Sequence, residues 1–211
     1  MINLQFCTEN IRRTPFVFNK ETGDLRQLET DIDFHCRICA YDAEADRIIM
    51  VGTSYAEAEY LREKWNGGQV MQKTNNTYYP PDTYIFELIQ NDKLNLLLKL
   101  EDFEIKNIGV KGADEITYSG YALKHANIPM ENYLYKTGSQ PQIADLFGGS
   151  FPLTIYDEYV YESKDTILFI GSGEGYAQGI YRYCIANGEI ELIYDGTDFH
   201  NAYVNNFMLL R

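Results

Sequence analysis

Two histidines and one carboxylate occupy the same position in three similar triplets of this sequence. The triplets are Asp33-Phe34-His35, Asp102-Phe103-Glu104 and Asp198-Phe199-His200. Imidazole nitrogens and carboxylate oxygens bind divalent metals, so His35, Glu104 and His200 are the candidate metal ligands, and a divalent metal is the one cofactor considered. The competing interpretation is that these polar side chains ring the solvated mouth of a channel. Residues related only by the phase of a repeat are weaker evidence than a spaced ligand motif.

Cys36 and Cys39 have the C-x-x-C spacing of redox and zinc sites. They lie on a predicted strand, where residues three apart point to opposite faces of the sheet. The sequence therefore predicts two buried free thiols at these positions.

A glycine-rich stretch at residues 171–175 has a sequence similar to that of a phosphate-binding loop. It lacks the lysine of a P-loop, and the residues after it read as a strand, so no helix N-terminus would face a phosphate. We expect a flexible binding loop that displays Tyr176. His125 has no Ser or Cys beside it in a triad or elbow pattern. No catalytic residue is predicted, and the question of enzymatic activity stays open, with a binding role favoured.

The elements that carry these residues recur at a fixed period. Phenylalanines stand at positions 34, 103, 151 and 199, and the intervals between them are 69, 48 and 48 residues. Such a period indicates repeated supersecondary units. Their shared phase predicts that the four rings are core wedges between neighbouring units and have no role in ligand binding.

Each unit has four predicted strands. The first strand follows the phenylalanine, and the second is apolar and ends in glycine, at residues 48–52, 116–120 and 167–171. The third carries two aromatic residues two apart and leads through a polar turn into the fourth. The aromatic pairs are Phe16 and Phe18, Tyr84 and Phe86, Tyr133 and Tyr135, and Tyr181 and Tyr183.

A four-stranded meander repeated at this period resembles a blade of a β-propeller, an all-β fold. The resemblance covers nearly the whole chain but is to the architecture alone, since no WD dipeptide or kelch double glycine is present. It implies one domain of four blades, in which terminal strands close the first blade. The expected blades are residues 1–30 plus 200–211, residues 34–101 with an insertion at 54–81, residues 103–149, and residues 151–197. The alternatives are an incomplete ring that dimerises and an open array of stacked sheets.

The longest interval contains an insertion between the second and third strands of its unit. Ser54 followed by Glu57 is a capping box, which predicts a short helix. In a propeller, loops between second and third strands emerge on the face of the crossings between blades. The insertion and the loop around Tyr176 are therefore expected to share one face. The competing interpretation is that the insertion caps or plugs a small ring.

The charge of the chain narrows the classes of partner. Eighteen Lys and Arg against 31 Asp and Glu give a net charge of −13. Such a surface repels nucleic-acid phosphates and anionic lipids, and it attracts basic proteins. No signal peptide, transmembrane span or disulfide framework is recognisable. We expect a cytoplasmic protein that binds neither nucleic acid nor membrane, as a monomer or a dimer.

These observations favour a non-catalytic acidic protein that captures a basic partner protein through one loop face, as an immunity protein or inhibitor captures a toxin. The predicted binding residues are aromatic and acidic residues of the two loops: Tyr55, Glu59, Glu63, Trp65, Tyr78, Tyr79, Glu174 and Tyr176. The alternative is small-molecule or carbohydrate binding, or a hydrolase, on the same face. Added salt should slow capture by charge and leave sugar binding nearly unchanged.

Overall fold

A computed structural model describes residues 14–42, 45–66, 82–89, 92–122, 131–148 and 151–196. The chain divides into two compact units. Unit 1 comprises Met1–Ile105 and Gly120–Met130, and unit 2 comprises Lys106–Ser119 and Glu131–Arg211. Within the described residues, no helix is long and apolar enough to cross a membrane.

Unit 1 opens with a two-stranded antiparallel hairpin of β1 (Phe16–Phe18) and β2 (Leu25–Gln27). Its turn is closed by the Asn19 side chain, which accepts hydrogen bonds from the backbone N–H groups of Glu21 and Thr22. Gly23 follows with a φ of 78°, a left-handed conformation that glycine adopts without steric penalty. The predicted first hairpin is therefore present.

The main sheet of unit 1 is a four-stranded antiparallel meander. Its strands are β3 (Phe34–Asp42), β4 (Arg47–Ser54), β5 (Thr83–Ile89) and β6 (Lys93–Leu100), in that order across the sheet. The helix α1 (Tyr55–Asn66) follows β4 directly and precedes β5. The predicted helical insertion between the second and third strands is confirmed.

The core of unit 1 forms where the hairpin packs on this sheet. Phe34 is buried and meets Phe86 edge to face, with ring centroids 4.7 Å apart. Leu28, just after β2, is buried in the same cluster. A Cβ added at Gly52 would lie 2.0 Å from the backbone oxygen of His35 and 2.7 Å from the Phe34 ring. The second strand continues to Ser54, two residues beyond the predicted end, and it has glycine at position 52 because the first strand and its phenylalanine occupy the space of a side chain.

The second sheet repeats this arrangement. Its antiparallel order is β10-β9-β8-β7, formed by β7 (Phe103–Lys111), β8 (Glu115–Ala122), β9 (Glu131–Lys136) and β10 (Gln142–Ile143). The border between the two units runs through β7 and β8. A Cβ added at Gly120 would lie 2.2 Å from the backbone oxygen of Glu104 and 2.6 Å from the ring of Phe103, which is buried.

Unit 2 contains the third sheet, with β11 (Thr154–Ser163), β12 (Thr166–Gly173), β13 (Tyr176–Cys184) and β14 (Ile190–Asp195) in antiparallel order. Its core is an aromatic cluster. Phe151 lies before β11, half-buried, with its ring centroid 5.7 Å from Phe169 and 5.2 Å from Tyr183. Three of the four repeat phenylalanines are thus packed in a core, and Phe199 lies outside the described residues.

The predicted fold class is confirmed: the protein is all-β, built from repeated four-stranded antiparallel sheets, with one short helix in the described part of the chain. Such sheets are compatible with a propeller-like fold. The pairing of the terminal strands in a shared blade involves residues outside the described part of the chain. The division into four blades of one domain stays a prediction.

Candidate functional site

The helix α1 is mounted on one end of the unit 1 sheet, which we call the helix end. At this end Phe34 pairs with Ser54, and Thr83 pairs with Leu100. The hydroxyl of Ser54 accepts a hydrogen bond of 3.3 Å from the backbone N–H of Glu57, as the capping box predicts. The N–H of Tyr55 donates to the backbone oxygen of Asp33 at 2.7 Å. The first turn of the helix is therefore tied both to its own cap and to the strand beside it.

A second connection joins the helix to the sheet through side chains. The buried Tyr84 hydroxyl donates to Glu57 Oε1 at 2.8 Å. Lys99 Nζ lies 5.6 Å from the centre of the Tyr84 ring and 2.7 Å from Asp82 Oδ2. Burial, and then the hydrogen bond to Glu57, raise the pKa of Tyr84 above its usual value. The hydroxyl therefore stays protonated at neutral pH and keeps its role as donor.

The other oxygen of this carboxylate, Glu57 Oε2, is buried and has no hydrogen-bond partner among the described residues. A buried acceptor without a donor lowers stability. The junction between helix and sheet is therefore not optimised for stability alone.

The outward side of α1 is an exposed stripe formed by Ala56, Tyr60 and Glu63. These residues are spaced four and three apart, which places them on one face of a helix. The Tyr60 side chain is 58% exposed at the centre of the stripe. An exposed aromatic ring beside a carboxylate is a suitable contact for an amphipathic or basic group of a partner. We call these three residues the helix stripe.

The residues predicted in the insertion have different positions on the helix. Tyr55 and Glu59 are half-buried, and Glu63 is exposed on the stripe. The side chain of Trp65 lies outside the described part of the structure, as do Tyr78 and Tyr79 entirely. The predicted role of the tryptophan as an anchor therefore stays a prediction.

The other predicted loop is a tight turn. Gly173 pairs with Tyr176, so only Glu174 and Gly175 connect β12 to β13, and Gly175 has a φ of 80°. The loop is shorter than expected, because residues assigned to it continue the two strands. Its role in binding stays a prediction. Glu174 is exposed, and the 40% exposed ring of Tyr176 packs edge to face on Tyr181 at 6.2 Å. These two residues belong to unit 2, and the face that they were expected to share with the insertion stays a prediction.

The candidate metal ligands have other partners where they are described. Glu104 Oε1 accepts from Arg37 Nη2 at 3.2 Å, and its Oε2 accepts from the Tyr121 hydroxyl at 2.7 Å. The ring of His35 lies 6.4 Å from that of Tyr55. His200 lies outside the described residues, and no cluster of three potential ligands occurs among the described ones. Metal binding stays a prediction, in which a metal would compete with an arginine and a tyrosine for Glu104.

The two cysteines do not point to opposite faces, so that expectation is wrong. The register of β3 against β4 shifts between Cys36 and Ile38, which makes Arg37 an extra residue in a β-bulge. The bulge returns Cys36 and Cys39 to the same face, and both pack on the core of unit 1. Neither cysteine forms a disulfide, and Cys36 is buried while Cys39 is half-buried. Burial raises the pKa of Cys39 to about 11, which disfavours thiolate chemistry.

Sequence reasoning missed several residues of the helix end. Tyr84 was assigned only to the aromatic strand pattern, although a tyrosine hydroxyl that becomes buried needs a partner. Tyr60 lies four residues after Ala56, a spacing that could have been found from the predicted helix. The contact of Arg37 with Glu104 depends on the bulge, for which the sequence gives no signal.

No protein-family model matches the sequence, and a search of curated proteins finds no relative. Solved structures with a similar backbone include TolB from Acinetobacter baumannii, with 13% identity and a TM-score of 0.48 over 86% of this chain and 38% of that one. Another is a puromycin-hydrolyzing peptidase from Mycobacterium tuberculosis, with 8% identity and a TM-score of 0.45 over 83% and 31% of the two chains. This chain spans less than two fifths of the length of either protein. At these values the similarity carries no information about what this chain binds.

Proposed function

We propose that the protein is a binding module that captures a basic partner protein through the helix end of unit 1. The observation that carries this proposal is the helix stripe, with Tyr60 exposed at its centre. Large aromatic side chains dominate the affinity of many protein interfaces when a partner covers them. The stripe thus offers an anchor for a partner. It lies on the inserted helix, which the repeated four-stranded sheet does not need.

The mounting of the helix supports a role in binding because it pre-organises the stripe. The cap at Ser54 and the hydrogen bond between Tyr84 and Glu57 hold the first turn against the sheet. A rigid contact surface loses less conformational entropy on binding than a flexible loop does.

The preference for a basic partner comes from the charge of the whole chain. Within α1 the three glutamates are nearly balanced by Arg62 and Lys64. The net charge of −13, in contrast, produces a long-range attraction for positively charged proteins. In this proposal the charge raises the association rate, and the helix stripe supplies the contact that slows dissociation.

The test compares two tyrosines of unit 1 that are equally exposed. Tyr60 on the helix is 58% exposed, and Tyr41, near the far end of β3, is 56% exposed. The full chain, Tyr60→Ala and Tyr41→Ala are immobilised, and captured proteins from the source organism are identified by mass spectrometry. We expect a basic protein that the wild type and Tyr41→Ala capture and that Tyr60→Ala binds about 30-fold more weakly, as the loss of a hot spot predicts.

The association rate of that protein should fall steeply as ionic strength rises. Thermal unfolding of both variants should stay close to that of the wild type, because surface substitutions change stability little. If the two variants capture the same proteins with the same affinity, the helix stripe is not the binding surface.

A further inference from the structure

Unit 1 contains a cavity of about 550 Å³ beside the segment that joins β2 to β3. Its lining includes Leu28, Glu29, Asp31, Asp33, Phe34 and Lys93. Ligand pockets of proteins commonly have volumes of roughly 300 to 1,000 Å³, so the cavity is large enough for a ligand that exceeds a single ion.

The lining combines a small apolar part with an acidic rim. Leu28 and Phe34 are 1% and 3% exposed and belong to the core behind the cavity, so the apolar side chain that a ligand can touch is the half-buried Ile32. The rim carries the exposed residues Glu29, Asp31 and Asp33, against the single ammonium of Lys93. The lining therefore attracts a cation that also has an apolar stem, as the side chains of lysine and arginine do.

Backbone hydrogen bonds fix the position of this rim. The N–H of Glu29 donates to the backbone oxygen of Asp92 at 3.1 Å, and its carbonyl accepts from the N–H of Leu94 at 2.9 Å. At the other end of the segment, the carbonyl of Asp33 accepts from the N–H of Tyr55, the first residue of α1. One end of the cavity wall is thus bonded to the start of the helix that carries the helix stripe.

We propose that this cavity binds a basic segment of the partner polypeptide, with the apolar stem of an arginine or lysine side chain against Ile32. The charged end of that side chain would meet the carboxylates of Glu29 and Asp31 on the rim. This inference rests on the proposed function, since it names the chemistry of the partner that the helix end captures. The size of the cavity favours a peptide over a metal ion, which would fill only a small part of it.

The experiment measures the fluorescence polarisation of a labelled peptide of four arginines with blocked termini, mixed with the full chain. The cavity variant is Glu29→Gln with Asp31→Asn. The control is Glu101→Gln with Asp145→Asn, which changes two exposed carboxylates outside the cavity. Each double variant removes two negative charges, so the net charge rises from −13 to −11 in both.

We expect the cavity variant to bind the peptide roughly tenfold more weakly, and the control variant less than roughly twofold more weakly, from the usual strength of partly exposed ion pairs. A third variant, Lys93→Gln, removes the cation of the rim and should bind the peptide more tightly than the wild type does. A loss of folding cannot imitate this gain, so the third variant protects the test from that artefact.

Equal weakening by the two double variants would overturn the inference, because it would show attraction by net charge alone. No change with Lys93→Gln, or no binding of the peptide by the wild type, would also overturn it. If the cavity fails these tests while capture still depends on Tyr60, the binding function stands without this cavity. If the peptide experiment gives the expected results while capture does not depend on Tyr60, the helix stripe is not the binding surface and the cavity is retained as the proposed site.

Discussion

The sheets β3–β6 and β11–β14 have the same strand order and differ in the connection between their second and third strands. In the unit 1 sheet this connection runs over residues 55–82 and contains α1. In the unit 2 sheet it consists of Glu174 and Gly175 alone. A two-residue turn is sufficient to join these strands. The comparison teaches that the meander does not need the helix, and that the extra residues serve another purpose.

The two sheets also differ in the hydrogen bond that the first tyrosine of the aromatic pair forms. Tyr84 and Tyr181 are the first aromatic residues of their pairs. The Tyr181 hydroxyl donates to the carbonyl of Ala177 on its own strand at 2.5 Å, whereas the Tyr84 hydroxyl donates to Glu57 on the helix. The first tyrosine of the pair thus bonds within its own strand in the unit 2 sheet, whereas in the unit 1 sheet it bonds to the inserted helix.

The largest expected difference between the two sheets concerns alkaline stability. Burial is the main cause of the raised pKa values of four tyrosines in the unit 2 sheet: Tyr159, Tyr161, Tyr181 and Tyr183. In the unit 1 sheet Tyr84 is the only described tyrosine with a raised pKa, and the Cys39 thiol, whose pKa is also raised by burial, adds one further group of this kind. A tyrosine with a raised pKa keeps its proton in the folded state while the unfolded chain ionises above about pH 10. Stability is therefore complete below that pH and falls as the pH rises further.

Urea unfolding at about pH 8, 10 and 11 checks this prediction. The pKa of Tyr161 is raised to about 12, so its contribution should fall by about 1.4 kcal/mol per pH unit between these limits. Phenylalanine does not ionise, and Tyr161→Phe should remove this part of the slope. If Tyr84→Phe flattens the slope as much as all four substitutions in the unit 2 sheet do together, the assignment to that sheet is wrong.

The next prediction concerns the glycine that lies two residues before the end of the second strand in these two sheets. A Cβ at Gly52 would lie 2.0 Å from a backbone oxygen, whereas one at Gly171 would lie 2.8 Å from the nearest atom, the backbone oxygen of Thr154. Gly52→Ala should therefore lower the free energy of unfolding by about 3 kcal/mol and Gly171→Ala by about 1 kcal/mol. Equal losses in chemical denaturation would show that the two sheets are equally tolerant at this position.

A smaller effect is expected from the hydroxyls of Tyr84 and Tyr181. Tyr84→Phe removes the donor to Glu57 and should lower stability by about 1 to 2 kcal/mol. The effect that distinguishes loss of this hydrogen bond is faster hydrogen exchange of the backbone amides of α1. Tyr181→Phe serves as the matched control, since its hydroxyl bonds within its own strand. Faster exchange of α1 in both variants would mean that the tyrosine does not hold the helix specifically.

The repeated part of the fold could be predicted from the sequence because a buried ring and a glycine must meet in each unit. The ring of Phe34 would obstruct a Cβ at Gly52, and the ring of Phe103 would obstruct one at Gly120 in the same way. At Gly171 the nearest ring is that of Phe169, so the repeat phenylalanine has this role in the first two sheets. The capping residue Ser54 was also predictable, since its hydrogen bond to the N–H of Glu57 is local.

The features of the site that the sequence did not predict depend on contacts between residues far apart in the chain or on irregular backbone. The hydrogen bond from Tyr84 to Glu57 joins residues far apart in the sequence, and no local pattern predicts it. The single extra residue Arg37 reversed the predicted orientation of Cys39, since one inserted residue changes the face on which later side chains lie. The loop predicted around Tyr176 is shorter than expected because Gly171 and Gly173 continue β12, and of its glycines Gly175 alone lies in the turn.

The most direct test of the account replaces residues 55–81 by Asn-Gly, a sequence that forms two-residue hairpin turns. The replacement gives the unit 1 sheet the short connection of the unit 2 sheet and leaves Thr53 opposite Thr83. Circular dichroism and thermal unfolding then measure the fold, and the partner protein identified with the wild type measures binding. The account predicts a folded protein that no longer binds the partner and whose melting temperature falls only by the few degrees expected from the loss of the hydrogen bond between Tyr84 and Glu57. A protein that unfolds, or one that binds as tightly as the wild type, would contradict it.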